Sequence, residues 1–349
     1  MEFLFEYGLF LAQALTIVVA IIVVVGFVMA MGQRQRSGDI EGHIEIRKLN
    51  ERYRNYREAM QHAVLSEDQF KRLRKEEKKQ DKQEAKQLKK AGDGEQAEKL
   101  RLYVLNFDGD MQASAADDLR EEISAVLGVA RSGDEVLLRL ESGGGMVHSY
   151  GFASSQLQRI RDAGITLTVA VDKVAASGGY MMACVAQRII AAPFAVIGSI
   201  GVLAQLPNFH RLLRKANVDF EQLTAGEYKR TLTMFGENTD ADRQKMQEDI
   251  DDTHLLFKEF VAEHRRQVVI DEVATGEVWY GQRAISQGLV DELQTSDSFI
   301  QACLAERDVF EIRHIHKKNW QEKLGFAAEG AIQRGILKLW QTATQRQNH

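Results

Sequence analysis

The chain has 349 residues, 44% hydrophobic and 27% charged, with a formal net charge of -5. That length suffices for one large domain or two ordinary ones with a sizeable core, and the composition is that of a folded protein apart from two segments near the N-terminus. Only Cys184 and Cys303 are present, each in apolar surroundings, which excludes a disulfide framework and a zinc-type cysteine cluster and reads both as reduced core residues.

Leu9 to Met31 reads LFLAQALTIVVAIIVVVGFVMAM, 23 residues without a charge. At a helical rise of ~1.5 Å per residue it spans a hydrocarbon core of ~30 Å, so residues 1–31 are expected to carry a single transmembrane helix over 9–31. A cleaved signal peptide fits less well, because the run is too long and acidic Glu2 and Glu6 stand where such a segment begins basic. Arg34 and Arg36 follow the span and no Lys or Arg precedes it, so the positive-inside rule puts the C-terminal bulk in the cytoplasm.

Residues 32–100 read as a charged helical juxtamembrane stalk. Arg47 to Lys90 holds 15 Lys and Arg against 8 Asp and Glu, with no proline, and the only glycines up to residue 100 that follow it lie in AGDGE. Good helix formers with opposite charges as neighbours predict solvated helices that end at Ala91 to Gly94. A basic run can meet nucleic acid or anionic lipid. Interleaved acids favour a plain solvated stalk over nucleic-acid binding, and membrane lipid is expected as the partner of the apolar span.

From Leu102 short apolar segments alternate with amphipathic ones: LYVLNF, ADDLREEISAVLGVA, EVLLRL, YGFASSQLQRIRDA, ITLTVAV. This alternation predicts an α/β core over 101–300, with strands apolar enough to be covered on both faces. After the apolar pieces RIIAA, VIGSIGVLA and FEQLTA, helical patterning resumes at Asp240 to Val268, and residues 301–349 read as an amphipathic extension.

Two glycine-rich turns interrupt the core. In RLESGGGMVHSYGF a strand runs into Gly143, Gly144 and Gly145 before a helix, and in VAVDKVAASGGYMMACVA a strand and loop run into Ser177, Gly178 and Gly179. Neither turn fits a Walker or dinucleotide fingerprint, so no cofactor is expected. A serine at a helix start is most often a cap. Here two glycine-rich strand ends, one offering free N–H groups and the other a hydroxyl with its own following N–H, supply the parts of a nucleophile beside an oxyanion site.

A serine hydroxyl needs a general base. His148 and His210 are candidates without an obvious orienting acid and read as surface histidines. A lysine is the other option, provided burial or a nearby cation lowers its pKa from about 10.4.

The stretches VAASGGYMMACVAQRIIAAPFAVIGSIGVLAQ, LTAGEYKRTLTMF and GEVWYGQRAISQGLVDEL, in that order, resemble the signal peptide peptidase A family of serine peptidases. The long N-terminal segment with one apolar span looks most like one branch of it. The resemblance covers Leu102 to about Leu293 and implies a Clp/crotonase-like fold with a Ser/Lys dyad. Carried over by position, Ser177 is the nucleophile, Lys229 of GEYKR the base, and Ser199 of IGSIGV the residue that orients the lysine. The oxyanion donors would be the N–H groups of Gly145 and Gly178. Where the family has Ser-Pro-Gly-Gly this chain has Ser142-Gly143-Gly144-Gly145, a less rigid turn.

The resemblance further implies apolar peptide or protein substrates, signal peptide remnants among them, a homo-oligomer with a groove assembled between protomers, and no metal or cofactor. It implies a bacterial inner-membrane location with the catalytic domain in the periplasm, opposite to the side that Arg34 and Arg36 indicate. A second apolar stretch, Ala183 to Leu206, contains Gln187, Arg188 and Pro193, and spanning there would separate Ser177 from Lys229, so it is expected to be core. Two other readings stand beside the peptidase. One is a crotonase-like acyl-CoA enzyme, for which Glu141 is the acid at the glycine turn, and the other is a catalytically inactive membrane scaffold docking through FAAEGAIQRGILKLWQ.

Overall fold

The computed structural model describes residues 42–90 and 99–316. The apolar run Leu9 to Met31, the Ala91 to Gly94 break and the C-terminal segment FAAEGAIQRGILKLWQ lie outside the described residues. The chain divides into two units, Met1–His43 with Ile315–His349, and Ile44–His314, and the second carries the core. No helix among the described residues is long and apolar enough to cross a membrane.

In chain order the elements are β1 (His43–Lys48), α1 (Leu49–Val64), α2 (Glu67–Lys90), β2 (Arg101–Gly109), α3 (Ala116–Leu127), β3 (Glu135–Ser142) and α4 (Val147–Asp162). They continue with β4 (Thr166–Val171), β5 (Val174–Ala176), α5 (Gly178–Ala183), β6 (Arg188–Ala191), β7 (Val196–Gly198), α6 (His210–Lys215) and α7 (Asp240–His264). The last are α8 (Ile270–Val273), β8 (Val278–Tyr280), α9 (Gly281–Ala284), β9 (Glu292–Leu293), α10 (Ser296–Cys303) and β10 (Asp308–Ile315). The fold is mixed α/β, as the alternation predicts.

The main sheet has the order β1-β10-β2-β3-β4-β6-β9, and β5, β7 and β8 leave it as a branch from β3. The pairs from β10 through β2, β3, β4 and β6 to β9 are parallel, as are β3 with β5 and β5 with β7, while β7 and β8 are antiparallel. Successive side chains of a strand point to opposite faces. In β2 this sends Tyr103, Leu105 and Phe107 into one apolar cluster and Leu102 and Val104 into another. Leu119, Ile123 and Val126 of α3 and Tyr150, Leu157 and Ile160 of α4 recur at helical spacing and fill the first cluster. Phe299 and Ile300 of α10 and Leu49 of α1 cover the second. With both faces covered, the strands read as nearly unbroken apolar runs.

Four details differ from the sequence reading. Within the stretch read as stalk, β1 joins the edge of the sheet, because HIEIRK alternates apolar and polar residues at strand spacing ahead of the helical run. Beyond residue 300, β10 inserts between β1 and β2 with Val309 and Ile312 buried. Phe220 to Ala225 forms no regular element. The apolar stretch Ala183 to Leu206 is core as far as Ile200, the end of α5 running into β6 and β7, whereas Phe194 and residues 203–206 are exposed, contrary to expectation. Cys184 is buried and free, its thiol donating to the Met181 carbonyl at 3.2 Å, and Cys303 is free and half-buried.

Candidate active site

The branch in the sheet brings three strand ends together. Ser142, the last residue of β3, pairs with Ala175 of β5, and Ala176 pairs with Gly198 of β7. Ser177 and Ser199 therefore stand side by side, one step past the last paired residues, and the Ser177 N–H continues the ladder by donating to the Gly198 carbonyl at 2.8 Å. The carboxyl ends of parallel strands where connections diverge are the usual place for a site in α/β sheets.

Ser177 has φ 53° and ψ -119°, a region that non-glycine residues rarely occupy. It precedes α5, yet its side chain makes no capping bond, so the ordinary role of a serine at a helix start is not the one it plays. A strained strand-to-helix turn lifts a side chain out of both elements, the geometry of a nucleophile elbow. Ser199 also lies at positive φ, 51°, with its N–H donating to the Glu277 carbonyl at 2.6 Å.

The two glycine turns dovetail, which explains their composition. A Cβ on Gly144, which has φ +87°, would come within 2.7 Å of the Gly178 nitrogen and the Ser177 Cβ. A Cβ on Gly178 would overlap the Tyr150 ring, and one on Gly179 would come within 2.5 Å of the Ser142 carbonyl oxygen. Gly145 is pressed against the Met111 carbonyl, which accepts from the Met146 N–H at 2.9 Å. Gly143 faces open space, so nothing in its surroundings requires the missing side chain.

A relay of hydrogen bonds holds the first turn. The Gly144 N–H donates to Ser142 Oγ at 3.0 Å, and the Tyr150 hydroxyl donates to the Asp110 carbonyl at 2.7 Å. The phenol has a single proton, so in the 2.6 Å contact between Ser142 Oγ and Tyr150 Oη the serine is the donor. Burial pushes the Tyr150 phenol up from its ordinary pKa, which keeps that proton in place. With the Gly144 N–H engaged, the next donor along the turn is Gly145. Neither its N–H nor that of Gly178 has an acceptor among the described residues. Free N–H groups at a helix start and in a glycine turn beside a hydroxyl are able to hold a developing oxyanion.

Sequence reasoning singled out Ser177, Ser199 and both glycine turns, named Ser142 only as the start of its turn, and gave no part to Tyr150 or Asp110. Tyr150 falls on the apolar face of α4, where its sequence context is that of any core aromatic. The other predicted residues are placed as follows. Lys229 is exposed, in an irregular segment, and its side chain forms no hydrogen bond or ion pair among the described residues, so the single chain does not join it to Ser177. It lines a cavity of about 700 Å³ with Leu206, Phe220, Leu223 and Phe235. His148 is exposed and His210 half-buried, and neither bonds to Ser177. Glu141 is ion-paired to Lys173 at 2.9 Å and half-exposed, so the carboxylate an acyl-CoA enzyme would need is engaged elsewhere.

The chain matches the family model for the N-terminal part of peptidase family S49 over residues 2–157 and that for peptidase family S49 over 159–309. It is 51% identical over 332 residues to a probable protease SohB of Haemophilus influenzae, covering 94% of each chain. It is 45% identical over 318 residues to a probable protease SohB of Buchnera aphidicola subsp. Schizaphis graminum, covering 91% of this chain and 92% of the relative. Among solved structures it has a distant likeness to a mutant of a membrane-bound stomatin-specific protease, 1510-N, in complex with a substrate peptide. There the TM-score is 0.39 at 14% identity, over 65% of this chain and 96% of that one, too remote to bear on the site. Matched along nearly its whole length by the S49 models and by SohB proteases, the chain belongs to peptidase family S49.

Proposed function

We propose that the protein is a membrane-anchored serine endopeptidase of Clp/crotonase-like fold that cleaves apolar peptides, such as signal peptide remnants or segments of misfolded membrane or exported proteins. Ser177 Oγ attacks the scissile carbonyl carbon while its proton passes to Lys229 Nζ, and Ser199 orients the lysine. The carbonyl oxygen becomes an oxyanion held by the N–H groups of Gly145 and Gly178. Collapse breaks the C–N bond, and the leaving amine takes the proton from Lys229. Water, activated by the same base, then hydrolyses the acyl-Ser177 ester. The observation that carries this reading is the strained, uncapped Ser177 between two interlocked glycine turns.

An amine acts as a base near neutral pH only when it is desolvated or placed beside a cation. Lys229 is exposed in the single chain, and around it Leu206, Leu223 and Phe235 are exposed as well. A second copy covering this segment would bury the lysine and complete the dyad, so the active form in this reading is an oligomer.

The test is peptide hydrolysis by the full chain in detergent. Ser177→Ala and Lys229→Ala each lower kcat by at least about a thousand-fold with unchanged folding, and only proteins that retain Ser177 are labelled by a serine-directed covalent probe. Mixing the two inactive variants restores part of the activity when Ser177 and Lys229 come from different copies. Wild-type turnover by Lys229→Ala would remove the dyad, and absence of labelling at Ser177 would leave a scaffold. For the side of the membrane, Arg34 and Arg36 indicate the cytoplasm and the family resemblance the periplasm. Protease added to intact spheroplasts removes the C-terminus only in the second case.

A further inference from the structure

The helical hairpin after β1 has features that the peptidase reading does not use. Asn50 ties its base to the core: the side-chain amide donates to the Leu304 and Arg307 carbonyls at 3.2 and 2.9 Å, and its oxygen accepts from the Val309 N–H at 2.7 Å. At its far end Ser66 starts α2, its N–H and hydroxyl each 3.1 Å from Gln69 Oε1, and the Phe70 N–H donates to the Ser66 carbonyl. This capping box makes the turn a defined structure. None of the described side chains of α2 is buried.

Exposed apolar side chains precede the turn, the exposed acids Glu67 and Asp68 open α2, and the helix face beyond them is basic. Met60 and Val64 are 65% and 74% exposed at the end of α1. Lys71, Arg74, Lys75 and Lys78 repeat at i, i+3, i+4 and i+7, one face of α2, and line a groove of about 820 Å³ together with Leu65, Phe70 and Glu67. The His62 ring stands edge-on to Phe70 at 5.1 Å, and the Arg74 guanidinium lies over the same ring at 5.7 Å. Glu67 pairs with Lys71 at 3.2 Å and Glu58 with Arg74 at 3.3 Å, while Lys75 and Lys78 have no carboxylate partner among the described residues.

We infer that the tip of this hairpin docks on the surface of an anionic phospholipid bilayer, Met60 and Val64 entering the headgroup region and the α2 cations meeting lipid phosphates. The inference rests on the membrane-anchored reading. Eleven residues lie between Met31 and His43, at most about 40 Å of extended chain, so in that reading the start of β1 is no farther than this from the end of the apolar run. Exposed apolar side chains beside a cationic helix face match an interface that offers hydrocarbon and phosphate together. A nucleic acid would meet the cations and leave the apolar tip unused.

The experiment uses the full chain with Val64→Cys carrying an environment-sensitive fluorophore, reconstituted into vesicles of phosphatidylcholine alone or with phosphatidylglycerol, each with brominated acyl chains as quencher. Quenching is expected only with phosphatidylglycerol, and is abolished in about 1 M salt, where charges are screened beyond ~3 Å. In Lys71→Glu/Lys75→Glu/Lys78→Glu the docked-to-free ratio falls at least about a hundred-fold, from roughly 1 kcal/mol per cation. Equal quenching in neutral vesicles, or quenching that survives the triple substitution, overturns the inference. So does a fluorescence change that appears with oligonucleotide or on concentrating the protein in detergent, but not with anionic lipid. A chain extracted from neutral vesicles by alkaline carbonate refutes the membrane anchor instead, and the two failures are read separately.

Discussion

Ser177 holds a backbone conformation that costs a non-glycine residue about 1–3 kcal/mol, and the surrounding ladder and turns keep it there. Ser177→Gly relieves that strain and Ser177→Ala retains it. The glycine variant is therefore expected to unfold at higher denaturant concentration than the alanine variant, by about 1 kcal/mol after the added backbone entropy, while both are inactive. Tyr150 holds the first glycine turn through its bonds to Ser142 and Asp110. In Tyr150→Phe the Ser142 hydroxyl loses its acceptor and the Asp110 carbonyl its donor. Expected are a stability loss of about 1–2 kcal/mol and a kcat about ten-fold lower with KM unchanged, because the turn proposed to hold the oxyanion is loosened. A fall in stability with kcat intact would reduce Tyr150 to a core residue. The residues that sequence reasoning singled out here are those whose types are conspicuous, a serine and glycines at strand ends. Tyr150 escaped because an aromatic on an apolar helix face carries no mark of the bonds its hydroxyl makes.

At the scale of elements, α3 meets β10 through a buried carboxyl. Burial raises Glu122 from the ordinary value of 4.5 to about 7, against the His314 N–H donating to it at 2.8 Å and with Asp118 adding to the rise. Its second oxygen has no hydrogen-bond partner among the described residues. His314, whose Nδ1 lies 2.8 Å from Asp118, and Arg313 are the basic groups that oppose the shift. A carboxyl raised on folding contributes stability that is complete below its unfolded pKa and lost as pH rises to the folded one. Folding free energy should thus fall between about pH 4.5 and pH 7 and level off above. Glu122→Gln stays neutral, so its advantage over wild type should grow by roughly 2–3 kcal/mol from pH 5 to pH 8, measured by denaturant titration. A constant difference would show that Glu122 stays ionised in the folded state. The interior strands and helices were legible from their periods, whereas β1 and β10 were not. Each lies in a stretch whose bulk composition suggests another class, and edge pairing depends on a partner distant in sequence.

For the whole molecule, the segment around Lys229 leaves Leu203, Leu212, Leu223, Tyr228 and Phe235 exposed, with Leu223 at 96%. So many large apolar side chains on one stretch mark a contact surface. Light scattering of the detergent-solubilised protein is expected to show more than one copy per particle. Leu223→Glu should dissociate the particles and abolish peptide hydrolysis while leaving the circular dichroism of the chain unchanged. A monomeric wild-type protein with full activity would rule this out. The sequence by itself determined the α/β class, the apolar run, the charged helices and the residue types at the two glycine turns, because periodicity, charge and backbone freedom are local properties. Only the tertiary structure decided that β3, β5 and β7 end together, that the turns interlock through Tyr150, and that Lys229 stands exposed and unjoined to Ser177. Those outcomes depend on pairing between segments far apart in the chain, whose free energy comes from burial and hydrogen bonds that no single stretch contains.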